Sequence, residues 1–277
     1  MSTLSEKLGN LDRRWIFLLM ALSVILSMFF PIEIPEKVTA QTQALYDQME
    51  QIPEGSIIMI PFEIWPSTLP ETEPIARAAI RHAFARNLRI VSLSNIGAGG
   101  PSITERILRE EGEAFGKEYG VDYVNLGYKA NYLAVLTGMG TSIRSIYPTD
   151  HSGTPLDSLP IMANMDKYSD AEFAFIISDN ATVEYWITIA GAQFDIPMGA
   201  GVTAVMAPKL FAYLDSGQLK GLLGGMKGGA EYEMLIGRKD WATRGMGAQS
   251  LIHLIIISFI VLGNVGYFLG RRKKGSA

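Results

Sequence analysis

The sequence predicts an α/β fold: a single doubly wound, mostly parallel sheet of five or six strands, Rossmann-like or flavodoxin-like, flanked by two transmembrane helices. Two long uncharged apolar runs lie near the ends of the chain. Between them, short apolar runs alternate with segments of helical periodicity, which is typical of βαβ units. The short runs are continuously apolar, as strands that are covered on both faces require.

The two long apolar runs have the length that a helix needs to cross a membrane. Residues 15–32 and 251–270 contain no Asp, Glu, Lys or Arg, and about 20 apolar residues span the hydrocarbon core. A cleaved signal peptide is the alternative for the first run, because Val38–Ala40 fits a cleavage site. The run is longer than the apolar region of most signal peptides, so we interpret it as a retained anchor.

Basic residues flank both runs on the sides that face the chain ends. Lys7, Arg13 and Arg14 precede the first run, and residues 271–274 follow the second as Arg-Arg-Lys-Lys. Lys and Arg near a membrane helix favour the cytoplasmic side. We therefore predict a two-pass protein of the cell membrane whose termini, residues 1–14 and 271–277, are both cytoplasmic.

The part between the runs is predicted to lie outside the cytoplasm. We expect a linker or short helix at 33–53, an extracytoplasmic α/β domain at 54–237 and a second linker at 238–250. The termini hold 7 of the 24 basic and 2 of the 28 acidic residues, which leaves 17 and 26 between them, a net charge of −9. Such an acidic domain is a poor partner for nucleic acid, and we expect anionic lipid headgroups to repel it.

Within the domain, strand and helix patterns alternate. The expected strands cover residues 56–65, 88–94, 121–128, 171–178 and 197–207, with a further edge strand at 230–237. The clearest helix follows the second strand, where Ser102 and Glu105 have the spacing of a capping box. The chain contains no cysteine, which excludes thiol catalysis, disulfides and cysteine-ligated metals.

The carboxyl ends of parallel strands are where such sheets bind ligands. The loops at those ends supply the candidate ligand-binding residues, which are Glu63, Asn95, Gly97, Gly99, Gly100, Ser102, His151, Asp179 and Asn180. A small polar or anionic ligand fits this set.

The turn "NIGAGGPS" has two interpretations. Its glycines and the following helix N-terminus could approach an anion. However, Ser102 stands where a G-x-G-x-x-G motif has its third glycine, and Pro101 removes one N–H donor. We favour a tight turn before a capped helix, and we predict no nucleotide or other cofactor.

Carboxylates and one loop histidine are the residues available for catalysis. An extracytoplasmic hydrolase or transferase using Glu63, His151 and Asp179 is the alternative hypothesis, and it requires these three side chains to converge. Asp179 and Asn180 have a structural alternative, as N-caps of the next helix. The sequence holds no G-x-S-x-G and no H-E-x-x-H motif, so we assign no catalytic residue and no metal ligand.

The second apolar run contains a polar residue and two spaced glycines. A polar side chain in lipid favours a helix partner, and glycines four residues apart allow close helix approach. Asn264, Gly266 and Gly270 are therefore predicted to mediate helix association. Together these features predict a non-enzymatic binding or assembly subunit of a membrane complex, partnered by other membrane proteins or by further copies of itself. An accessory role in a transport or translocation assembly is a further alternative.

Overall fold

The computed structural model describes residues 13–29 and 37–274. The chain forms two compact units, of which one combines the two terminal segments and the other is Glu36–Thr243. The second unit is the α/β domain, which begins inside the expected linker or short helix at 33–53 and ends inside the expected linker at 238–250.

The domain contains one sheet in which every strand pair is parallel. Among the described residues the sheet has seven strands, rather than the expected five or six. The strands are β1 Ile57–Met59, β2 Phe62–Glu63, β3 Arg89–Ser94, β4 Tyr123–Tyr128, β5 Phe173–Ser178, β6 Met198–Val202 and β7 Leu222–Gly224.

Strands β1 and β2 are two parts of one line of backbone, although the sequence predicts a single strand there. Ile58 pairs with Phe173 and Phe62 pairs with Ile177, so the register along β5 is the same before and after the interruption. Pro61 lies at the interruption, and proline cannot donate a ladder hydrogen bond. This line runs down the centre of the sheet and ends at Glu63.

The strand order is β4-β3-β1-β5-β6-β7. With β1 and β2 counted as one strand, the chain adds strands first on one side and then on the other, which is the Rossmann order 3-2-1-4-5-6. The direction in which successive strands are added to the sheet reverses between the β1–β2 line and β5. The predicted α/β class and parallel sheet are confirmed.

Helices cover both faces of the sheet. The helices are α1 Arg13–Phe29, α2 Ala40–Glu50, α3 Leu69–Ala85, α4 Gly100–Phe115, α5 Tyr132–Met139, α6 Ile143–Ile146, α7 Thr182–Tyr185, α8 Ala192–Phe194, α9 Ala207–Asp215, α10 Gly225–Leu235 and α11 Trp241–Lys274. Helices α2, α3, α4 and α10 pack on one face, and α5, α6, α7 and α9 on the other. Because both faces are covered, all six residues of β5 are buried.

The expected edge strand at 230–237 is wrong, because helix α10 occupies most of it. Ala, Glu, Met and Leu favour helix over strand, and the helix buries Glu231 and Glu233 at 1 % exposure each. The last strand is instead Leu222–Gly224, outside the expected strands.

The buried glutamates of α10 bind the two segments that enter and leave the domain. Glu231 accepts hydrogen bonds from the backbone N–H and the hydroxyl of Thr39. Glu233 accepts three backbone N–H bonds, from Asp240, Ala242 and Thr243, and one from the Thr243 hydroxyl. Helix α10 therefore holds the first and the last segment of the domain.

Only one helix among the described residues is long and apolar enough to cross a membrane. It covers Trp241–Val265 and belongs to α11, which starts inside the expected linker at 238–250. Helix α1, Arg13–Phe29, has 17 residues and is not long enough to count as a second such helix. The expectation of two spanning helices is therefore not confirmed. Residues 30–32 of the expected first span lie outside the described residues.

Candidate functional site

The carboxyl end of the central strand line is the point where the strand order reverses. Glu63 is the last residue of β2 and pairs with Ser178, the last residue of β5. Asn95 follows β3, while Asp179 and Asn180 follow β5. In sheets of this kind, ligands bind beyond the carboxyl ends of the strands at such a switch point.

The Glu63 carboxyl group is fully buried and receives three N–H donors. Its Oε1 accepts from Asn95 Nδ2 at 2.6 Å and from the Trp186 indole N–H at 3.1 Å. Its Oε2 accepts from the Asn95 backbone N–H at 3.1 Å. One carboxyl group thus joins the central strand, the loop after β3 and the helix after β5.

Burial controls the protonation of Glu63. Loss of water around the carboxylate raises its pKa to about 7, against the opposing effect of the bonds from Asn95 and Trp186, and the nearby charge of Asp179 raises the pKa further. Near neutral pH the group therefore exists as a mixture of acid and carboxylate. A carboxyl group with such a pKa at a sheet switch point is typical of functional sites.

Two polar atoms near this carboxyl group have no partner. The Tyr147 hydroxyl and Asn95 Oδ1 are both buried without a hydrogen bond. Burial and then the charge of Glu63 raise the pKa of Tyr147, so the hydroxyl stays protonated. An unpaired buried polar group costs about 1–3 kcal/mol. Two such groups beside a titrating carboxyl favour a ligand or an ordered water as their partner.

Trp186 begins an unusual stretch of helix. Residues Trp186–Gly191 form a π-helical segment that joins α7 to α8. Such segments are rare and occur often at functional sites. Here the segment begins at the residue whose indole reaches Glu63.

Asp179 and Asn180 make structural bonds. Asp179 Oδ2 accepts the Trp65 backbone N–H at 2.7 Å and the Thr68 hydroxyl, which closes the turn after β2. Asn180 Oδ1 accepts from the Thr182 backbone N–H at 2.9 Å, at the start of α7. Helix α7 has Ala181 at its N-cap position and no side-chain cap, so neither residue caps it, and Asp179 instead binds the turn after β2.

The glycine turn packs closely against its neighbours. A side chain on Gly100 would lie 2.2 Å from Ser94 Oγ, and one on Gly97 would lie 3.0 Å from the Tyr128 ring. Gly99 is the residue before α4 and has a left-handed φ of 87°, which glycine adopts without strain. These contacts favour the tight-turn interpretation over an anion cradle.

The expected capping box of Ser102 and Glu105 is wrong. Helix α4 begins earlier, at Gly100, with Pro101 in its first turn and no side-chain cap. Proline suits that position because its missing N–H would have no helical partner. Ser102 is exposed, and Glu105 instead accepts from the Asn125 side chain.

His151 lies apart from the Glu63 group. Its backbone N–H donates to the Asn125 carbonyl on β4, and its side chain is exposed. Strand β4 is two positions from the central line, a distance of about 10 Å. The structure thus groups Glu63 with Asp179 but does not place His151 in hydrogen-bond reach of Glu63.

Two residues of the cluster are not among the sequence candidates. The Trp186 indole donates to Glu63, and Tyr147, which follows α6, is close enough for the charge of Glu63 to raise its pKa. Both side chains belong to the apolar core on the same face of the sheet. An aromatic side chain in an apolar helical stripe is normally interpreted as part of the core. The sequence therefore gives no indication that either residue belongs to the site. Within residues 13–29 and 37–274, no group of three or more acidic or histidine side chains is arranged to hold a metal ion.

The residues predicted for helix association all lie in helix α11, and the Asn264 side chain is exposed on its surface. Association through Asn264, Gly266 and Gly270 stays a prediction.

Comparisons of the chain with protein-family models, with curated proteins and with solved structures find no match.

Proposed function

We propose that this chain is a membrane-anchored, non-enzymatic binding or assembly subunit, whose α/β domain holds a small polar or anionic ligand at the Glu63 cluster. The observation that carries the proposal is the pair of unpartnered buried atoms, Tyr147 hydroxyl and Asn95 Oδ1, beside a carboxyl group at the switch point. Asn95 and Asn180 are half-buried, so the cluster lies directly beneath the loop surface.

The hydrogen bonding of Glu63 favours binding over catalysis. Its side chain has 0 % exposure, and both oxygens already accept hydrogen bonds. A general acid or base must reach the proton it transfers. The alternative of a hydrolase or transferase therefore requires a second conformation in which Glu63 is open to substrate.

Replacing Tyr147 by Phe tests the ligand site. The change removes only a hydroxyl that has no protein partner, so we expect stability to stay within about 1 kcal/mol of wild type. Native mass spectrometry of complexes extracted from native membranes is expected to show a small bound mass in the wild type and its loss in Tyr147→Phe.

Tyr168→Phe is the matched control for that measurement. Tyr168 is equally buried, but its hydroxyl donates to the Leu136 carbonyl, so this variant should lose stability and keep the bound mass. The same spectra report protein partners. A lone chain without bound mass or a second subunit, in the wild type, would contradict the proposed function.

The proposed topology places both termini in the cytoplasm and the domain outside it, with α1 as the second anchor. The basic flanks support this orientation, and the span Trp241–Val265 supports membrane anchoring. Because the chain contains no cysteine, single substitutions can be labelled without background.

A membrane-impermeant maleimide added to intact cells is expected to label Ser152→Cys and to spare Ser5→Cys and Ser276→Cys. After the cells are opened, all three should react. Labelling of either terminal variant from outside would contradict the two-pass arrangement.

A further inference from the structure

Exposed apolar side chains gather on the loops at the carboxyl edge of the sheet. Between Lys37 and Asp240, six large hydrophobic residues are exposed, and five of them lie at or just beyond this edge: Trp65, Tyr128, Leu133, Val205 and Phe211. Val205 is 81 % exposed, on the loop between β6 and α9. The sixth, Val121, precedes β4 at the opposite edge.

The loops that carry these side chains touch one another. The Tyr128 ring covers Gly97, and Gly99 lies against Pro66, beside Trp65. On the other side, Glu71 accepts a hydrogen bond from the Ala204 backbone N–H at 2.9 Å, next to Val205. Trp65, Tyr128 and Val205 therefore lie on neighbouring loops, and together with Leu133 and Phe211 on the adjoining helices they make up what we call the carboxyl-edge surface.

The charge of the carboxyl-edge surface differs from that of the domain. Lys129 and Lys209 are exposed there, and neither forms an ion pair among the described residues. The acids of the same loops are less exposed: Glu63 is buried, Glu71 and Asp179 are half-buried, and all three accept hydrogen bonds from the protein. The exposed charges at these loops are thus both lysines, on a domain of net negative charge.

The chain also enters the domain at this edge. Thr39 and Ala204 line one cleft of about 280 Å³, together with Phe211. Thr39 directly precedes α2, and its backbone N–H donates to Glu231. A membrane-bound segment upstream of Thr39 would hold the carboxyl-edge surface at a high local concentration of lipid.

We propose that the carboxyl-edge surface docks on the anionic lipid surface of the membrane that anchors the chain. Single protruding aromatic and aliphatic side chains, flanked by lysines, are the features by which proteins enter the headgroup region. Each lysine adds roughly a fivefold preference for an anionic surface. This docking is the opposite of the repulsion by anionic headgroups that the net charge predicts, because net charge describes the whole domain and not this surface. It rests on the membrane anchoring of the proposed function and not on a ligand at Glu63.

Lipid quenching of a label at Val205 tests the docking. The full chain carrying Val205→Cys with a fluorescent label is placed, one chain per disc, in nanodiscs of phosphatidylcholine and phosphatidylglycerol. We expect a quencher attached to the lipid to quench this label several-fold more strongly than a label at Val121→Cys, the exposed control at the opposite edge.

The charge contribution has its own control. Adding Lys129→Glu and Lys209→Glu to the Val205→Cys chain should reduce the ratio of docked to undocked domain by roughly 30-fold or more. Nanodiscs of phosphatidylcholine alone should give a similar reduction. Docking that is indifferent to both changes would overturn the lipid-charge part of the proposal.

A label at Ile256→Cys, inside the membrane span, separates the failure of docking from the failure of anchoring. Quenching at Ile256 but not at Val205 would overturn docking and leave the anchor intact. An unquenched Ile256 label would overturn anchoring and docking together. If the Val205 label were shielded only when two chains share a disc, the surface would be an interface between copies, and the lipid proposal would be wrong.

Discussion

Glu233→Ala is expected to lower the free energy of unfolding of the domain by about 3 kcal/mol, because it leaves several buried donors without an acceptor. Glu233 is 1 % exposed and accepts from Asp240, Ala242 and Thr243 at 2.6–2.9 Å. Acceptors for the first N–H groups of a helix normally come from the residue just before it. Here the acceptor for the start of α11 comes from the preceding helix.

Hydrogen exchange of the backbone amides of Ala242 and Thr243 measures this role directly, alongside thermal unfolding in detergent. Both amides should exchange much faster in Glu233→Ala than in the wild type. Glu231→Ala is the matched control, since Glu231 is equally buried on the same helix but binds Thr39. It should release Thr39 and leave the Ala242 and Thr243 amides protected; equal exchange in both variants would refute the capping role.

The fold could be predicted where local pattern and burial agree. Strand β3 was expected at 88–94 and covers Arg89–Ser94, and strand β5 was expected at 171–178 and covers Phe173–Ser178. A strand covered on both faces must be apolar along its whole length, and that requirement is visible in a single sequence. The alternation of such runs with amphipathic helices then determines the class of fold.

The fold could not be predicted at α10, because the partner of its first buried glutamate is distant in sequence. Glu231 binds Thr39, which lies 192 residues earlier, and a sequence pattern of mixed Glu and apolar residues reads equally well as an edge strand. The start of α4 shows the same limit on a smaller scale. Ser102 and Glu105 have capping-box spacing, yet Gly99 and Pro101 start the helix earlier.

The candidate site also contains some residues that a local pattern predicts and others that only tertiary packing places there. Glu63, Asn95, Asp179 and Asn180 could be chosen from the sequence because the carboxyl ends of neighbouring parallel strands meet at one edge. Their contacts confirm that they are neighbours, while ligand binding by them stays a prediction. Trp186 and Tyr147 depend on how helices pack on the sheet, and packing is set by shape rather than by a local motif.

The stability of the domain is expected to fall by about 2–3 kcal/mol through Glu63 alone between about pH 5 and pH 8. Folding raises the pKa of Glu63 to about 7 from the ordinary value of 4.5, so the folded state holds a proton that the unfolded state releases. The contribution is therefore fully present below about pH 4.5 and is lost as the pH rises through 7. This direction is opposite to that of an ordinary paired carboxylate, which stabilises a protein at higher pH.

Unfolding free energies of the wild type and Glu63→Gln, measured in detergent across this pH range, isolate the effect. The side-chain amide that this substitution introduces stays neutral at every pH, although its NH₂ group meets the Asn95 backbone N–H and costs about 1 kcal/mol throughout. The difference between the two proteins should thus shift steadily in favour of the variant as the pH rises. Parallel pH profiles would mean that Glu63 is ionised at neutral pH, and the unpartnered Tyr147 hydroxyl would then lie beside a permanent negative charge. In that case a cationic or hydrogen-bond-donating ligand would fit the cluster better than an anionic one, so the pH profile also selects the charge of the ligand to look for.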